Sequence, residues 1–294
     1  MRETALERTK LGFLALAAQL GCTVPNPAYR PVVARPDAEQ AGADTAVPTF
    51  APDAAEDLAV IADLAAPVDL ASTIAPDASA PTGLVAHWRL DEPGGATVLD
   101  TAGTNPGMLA NGAARVPVGF PSARFPNPGA ISFDGEDDYV VLGIRGLPAM
   151  QAVMSVSAWF RATSVTTTGR RNLVVFDNRG AEESWQLGLD RGYPAVWNWG
   201  SAPAPLIGAS RMDLQWHNLI YVFDGTLQRL YLDGTEVARF DQAPPSAAAT
   251  AAYLGTYDPT GDQGERWSGV IDDVRVYDRA LTPDEVAWLA AGND

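Results

Sequence analysis

Near the C terminus, Trp267-Ser-Gly-Val-Ile-Asp-Asp-Val-Arg-Val-Tyr277 places a carboxylate inside an otherwise apolar strand pattern. Val270, Asp272, Val274 and Val276 stand at period two, which aims Asp272 to the same side as three valines. A carboxylate facing a core is costly unless a cation or several donors meet it. The pattern points to a structural metal at Asp272 more than to catalysis. Buried backbone donors, or an arginine such as Arg89, are the other ways to satisfy it. Asp134-Gly-Glu-Asp-Asp138 is a denser acidic cluster; it reads as a solvated turn, with metal ligation as the alternative.

A second chemistry is suggested by Trp197-Asn198-Trp199. In a strand, this spacing sets two indoles on one face with an amide between them, an arrangement able to stack on sugar rings while the Asn makes polar contacts. The competing reading puts one or both indoles in the core, where large aromatics usually go. Tyr257-Asp258 and Asp262 lie in a Gly/Pro-rich loop that could rim such a site. Catalytic patterns are missing. The two histidines, His87 and His217, fit no zinc spacing, and neither a Gly-x-Ser-x-Gly elbow nor a phosphate loop occurs. No enzymatic activity is expected.

The elements that must hold these residues begin after a long preamble. Arg2, Arg8 and Lys10 precede the apolar run Leu11–Leu20 and then Gly21-Cys22. The run is too short for a permanent membrane helix and reads as a signal sequence over 1–22. Leu20-Gly21-Cys22 resembles a bacterial lipoprotein signal, in which the cysteine is acylated; Gln19 and the n-region residues Glu3 and Glu7 depart from that pattern. The expectation is an exported, envelope-located lipoprotein anchored in the outer membrane through Cys22, with plain secretion as the alternative. Residues 23–82 are rich in Ala, Pro and Asp, with nine acidic residues against two arginines, and read as a disordered tether. Cys22 is the sole cysteine, so no intramolecular disulfide can form. A net charge of −16 and a single lysine, Lys10, argue against nucleic-acid binding, which needs clustered cations.

From residue 83 to 294 short apolar runs alternate with Gly and Pro punctuation. Asp233-Gly234, between Leu230-Tyr-Leu232 and Thr235-Glu-Val-Ala238, is a type I′ hairpin signal. Thr282-Pro-Asp-Glu285 starts one terminal helix, with Thr282 as N-cap and Glu285 closing a capping box. Ten or more strands and one short helix predict an all-β, two-sheet antiparallel sandwich.

Trp88-Arg-Leu-Asp-Glu92, Val98-Leu-Asp-Thr-Ala-Gly103, Ala130-Ile-Ser-Phe-Asp-Gly135 with Asp138-Tyr-Val140, Ser155-Val-Ser-Ala-Trp-Phe160, Trp216-His217, Leu230-Tyr-Leu-Asp-Gly234 and Ile271-Asp-Asp-Val-Arg-Val-Tyr277 occur in this order. Together they resemble the laminin-G-like, concanavalin-A-like jelly-roll domains over about residues 84–292. The resemblance implies a jelly roll with a structural calcium near the junction of first and last strands, where Asp272 and Asp91 would be ligands. It also implies that His217, in the recurring Trp-His pair, is structural. Glucanases on this fold carry Glu-x-Asp-x-x-Glu, a run absent from this chain. The implied role is non-catalytic binding or adhesion at the cell surface, with a glycan or a surface protein as partner; an envelope scaffold for another protein and, last, a divergent glycoside hydrolase are the alternatives.

Overall fold

The computed structural model describes residues 80–200, 205–261 and 265–294. The signal segment, Cys22 and nearly all of the tether lie outside the described residues, as does Asp262. In chain order the strands are β1 (Leu84–Trp88), β2 (Thr97–Val98), β3 (Gly107–Ala110), β4 (Ala114–Val116), β5 (Ala130–Asp134), β6 (Tyr139–Leu142), β7 (Met154–Ala162) and β8 (Arg170–Asn178). They continue as β9 (Glu183–Asp190), β10 (Tyr193–Trp199), β11 (Leu206–Ile207), β12 (Trp216–Phe223), β13 (Gln228–Leu232), β14 (Thr235–Phe240), β15 (Ala251–Leu254) and β16 (Ser268–Tyr277), before the helix α1 (Pro283–Ala290).

Two antiparallel sheets form the expected sandwich. The first runs β14-β13-β12-β7-β16-β5-β4, with β1 also on β16; the second runs β11-β10-β9-β8-β15-β6-β3-β2. Alternation along each strand sends one set of side chains between the sheets. Phe160, Ile271, Val274 and Val276 from the first sheet pack with Phe176, Trp185, Leu187 and Val196 from the second. The β13–β14 hairpin turns at Asp233 and Gly234 with φ of 49° and 80°, as a type I′ turn requires.

The outer face of the first sheet is covered. Ile220, Val222, Tyr231 and Tyr277 pack under Leu281, Val286 and Leu289 of the helical segment. Thr282 caps that helix by accepting from the Glu285 N–H, and the Glu285 carboxylate accepts from the Thr282 N–H in return. Further along, this face lies beneath the segment 117–129, whose Phe120 ring stacks on Trp159 at 4.1 Å with the planes 2° apart. On the second sheet the outward-facing Met108, Val141 and Trp199 are exposed, whereas the outward-facing Val175, Ser184, Gln186 and Trp197 are buried.

Candidate functional site

The last strand departs from plain alternation where it matters most. Asp272 pairs with Trp159 and Arg275 with Ser157, so β16 holds one residue more than β7 between those pairs. The extra residue is a β-bulge, and Asp273 takes φ 44° there, a conformation aspartate tolerates better than most residues. Ile271 and Val274, on either side of it, both enter the core. Asp272 and Asp273 both turn the other way. The expected parity, which grouped Asp272 with Val274 and Val276, is thus corrected by a one-residue insertion. The bulge also marks where β16 changes neighbour, from β5 at Ser268–Ile271 to β1 at Val274–Tyr277.

Asp272 is fully buried beneath the 117–129 segment, where three N–H groups donate to it. Oδ2 accepts from Phe120 N at 3.0 Å and Asn127 Nδ2 at 2.8 Å, and Oδ1 accepts from Asp273 N at 2.9 Å. Burial pushes this carboxyl up to about 8, against the pull of those donors. Asp273 accepts from His87 Nε2 at 2.6 Å and from Arg275 Nε at 3.1 Å. Burial raises its carboxyl, but those two partners win and hold it below the usual carboxylate range. Arg275 reaches on to Asp294 Oδ1 at 3.1 Å.

Asp91 belongs to a different contact: its Oδ2 meets Arg89 Nε at 3.3 Å, and Arg89 also pairs with Asp294. A calcium ion needs six to eight oxygen ligands. Here both Asp272 oxygens are taken by N–H donors and Asp91 faces a guanidinium, so these two residues do not assemble an oxygen cage. The fit to calcium at this place is poor. Among the described residues, Asp134, Asp137 and Asp138 do bring carboxylate oxygens within 4.8 Å of one another. Asp138 is the buried member, its Oδ2 accepting from Asp134 N at 2.7 Å.

The second sheet carries the tryptophans. Trp197 pairs with Gln186 and Trp199 with Ser184, and Gln186 pairs with Val175, itself opposite Tyr253. These residues alternate with the core-facing Leu187, Trp185, Val174 and Val196, so they form the floor of the outer face. Both indoles share that face, as their spacing predicts. They differ in access: Trp197 is 3% exposed and Trp199 54%. The Arg170 guanidinium lies 5.2 Å from the Trp197 ring centre, and its Nη1 is 3.8 Å from Glu265. Asn198 points the other way, into the interior, where Nδ2 donates to Gln228 Oε1 at 2.9 Å. The polar groups beside the indoles come from other strands.

Those groups are ones the sequence did not single out, except Asp258. Asp177 is opposite Ser184, in the same cross-sheet row as Trp199. Arg179 bridges Asp177, by Nε to Oδ2 at 3.1 Å, and Asp258, by Nη2 to Oδ1 at 2.7 Å. The hydrogen bond from Arg179 holds the Asp258 carboxyl at about 2, while burial raises that of Asp177. Glu183, next to Ser184, turns to the inward side with Trp185 and accepts from Ala247 N at 2.6 Å. The signal that could have found this cluster is weak, because its members come from β8, β9 and two separate loops.

His217 sits apart from this face. Its Nδ1 lies 2.7 Å from Asp233 Oδ2 and its Nε2 2.9 Å from Asp213 Oδ1, clamping the β13–β14 turn to the segment before β12. With both ring nitrogens facing carboxylates, the ring is built to be protonated.

Comparison with known proteins places this architecture. No curated protein sequence matches the chain. Domain 4 of AbnA, an extracellular GH43 arabinanase from Geobacillus stearothermophilus solved with arabinotriose, is 21% identical with a TM-score of 0.54, covering 70% of this chain and 98% of that one. The binding domain of Paraclostridial Mosquitocidal Protein 1 is 13% identical with a TM-score of 0.55, over 71% of this chain and 52% of that one. The binding domain of botulinum neurotoxin DC, solved with SialylT, is 11% identical with a TM-score of 0.53, over 71% and 51%. At such identities the likeness is one of fold. The Laminin_G_3 model matches residues 134–287, just over half of the sequence, and the chain belongs to that family of the concanavalin A-like lectin/glucanase superfamily.

Proposed function

We propose that the domain is a non-catalytic carbohydrate-binding module, held at the cell envelope by a lipid on Cys22 and a tether formed by residues 23–82. The observation that carries this reading is Trp199: a large indole, 54% exposed, at the edge of an outer face whose central residues Trp197, Gln186 and Ser184 are buried. It stands in one row with the buried Ser184 and Asp177, and Asp177 leads through Arg179 to Asp258, so a flat apolar platform is flanked by a fixed ion-paired group. Sugar rings present this same combination of apolar faces and hydroxyl edges. Domains of this fold solved with arabinotriose and with SialylT support the assignment. Calcium at Asp272 and Asp91 is not part of the proposal, given how those carboxylates are occupied.

A protein partner is the second reading. It is favoured by Met108 and Val141, which are 59% and 41% exposed and directly opposite each other on β3 and β6. The two readings separate in one experiment. The full chain is applied to an array of oligosaccharides, hits are titrated by calorimetry, and Trp199→Ala is compared. Removing a central aromatic anchor costs about 2 kcal/mol, or roughly 30-fold in affinity. Retention of no glycan, or equal binding by Trp199→Ala, defeats the carbohydrate reading.

A further inference from the structure

We infer that the Trp199 end of this face admits neutral glycans and rejects acidic ones. The inference rests on the carbohydrate reading above and adds the class of sugar. Three carboxylates border that end. Asp177 lies in the Trp199 row, and Asp258 joins it through Arg179. Glu182, in the β8–β9 turn, is exposed.

One guanidinium answers them. Arg179 already gives Nε to Asp177 and Nη2 to Asp258, so an incoming anion would compete with two built-in carboxylates for it. Arg170 lies over Trp197 toward the opposite end of the face, where Glu265 pairs with it, and Arg171 and Arg191 belong to that same end. An anionic sugar stacked on this indole therefore meets a net negative field, whereas neutral hydroxyls can donate to the same carboxylates.

The size follows from Coulomb's law. A unit charge about 10 Å away in water changes affinity about twofold. A net excess of two then gives roughly fourfold discrimination at low salt, fading as the screening length falls below about 10 Å.

The test uses the full chain and pairs of oligosaccharides that differ only in a terminal acidic sugar, titrated at low and high salt. The neutral member should bind about fourfold tighter at low salt, with the gap closing at high salt. Glu182→Gln should narrow the low-salt gap by about twofold. Equal or tighter binding of the acidic member, with Trp199→Ala still abolishing it, overturns the inference and leaves the carbohydrate reading standing. A preference that salt does not alter is steric and also overturns it. Failure of both members to bind removes the carbohydrate reading together with the inference.

Discussion

Replacing Asp272 by alanine tests how the last strand is held. The carboxylate accepts three N–H groups, and two of them, from Phe120 and Asp273, are buried backbone donors. Each buried donor left without an acceptor costs about 1–3 kcal/mol. Asn127 is half-buried and can turn its amide to water, so it adds little. Removing a carboxyl that burial disfavours returns part of the loss. The net expectation is about 3 kcal/mol. For a domain of this size, 1 kcal/mol moves the midpoint by about 2–4 °C, so Asp272→Ala should melt about 6–12 °C below wild type.

The assay is a thermal melt of the full chain, wild type and variant, in calcium and in excess chelator. Wild type should melt at one temperature in both, because N–H donors fill the role that a cation would take. The Asp272→Ala decrement should be the same with and without calcium. A ligand of the folded state raises stability by mass action. If calcium raises the wild-type midpoint and Asp272→Ala abolishes the rise, a metal binds where the structure shows Phe120 and Asn127, and the reasoning fails. If calcium raises the midpoint and Asp272→Ala keeps the rise, the ion belongs elsewhere; Asp138→Asn would then report on the Asp134–Asp137–Asp138 group.

The His217 clamp predicts a pH-dependent contribution. Partial burial lowers its pKa, but the Asp233 and Asp213 carboxylates outweigh that and raise it above the ordinary value of 6.5. The stabilisation is therefore fully present below about pH 6.5 and is lost as pH rises through the elevated folded value. The midpoint difference between wild type and His217→Gln should shrink from pH 6 to pH 9; because both aspartates are largely exposed, it should amount to no more than about 1 kcal/mol at the acid end. Trp197→Ala, at a position 3% exposed, should destabilise by about 3–5 kcal/mol, whereas Trp199→Ala should stay within about 0.5 kcal/mol of wild type in denaturant melts. Mass spectrometry of protein extracted from membranes should find diacylglycerol on Cys22; protein recovered unmodified from the medium refutes the anchor.

The sandwich was legible because it depends on local rules. Period-two runs such as Met154–Ala162, the Asp233-Gly234 turn and the Thr282–Glu285 capping box each declare themselves within a few residues. The site was legible only as far as period two reaches. It put Trp197 and Trp199 on one face, but it could not say whether that face was core or solvent, because both sheets of a sandwich alternate alike. Tertiary contacts make that choice residue by residue: Trp197 is buried on the outer face of the second sheet, while Trp199, two residues on, is exposed. Asp272 shows the limit most sharply. A single inserted residue reverses every side chain beyond it, and nothing in Ile271-Asp-Asp-Val274 distinguishes a bulge from plain strand except that aspartate tolerates the positive φ taken by Asp273. Its partners lie about 150 residues earlier, in a Pro-rich stretch with no strand signal of its own. A buried carboxylate in a sequence is therefore evidence that something compensates it, and the identity of the compensator is set by tertiary contacts. The same holds at Trp199, where an exposed indole is one local fact and the nearby Asp177, Arg179 and Asp258 come from β8 and two separate loops.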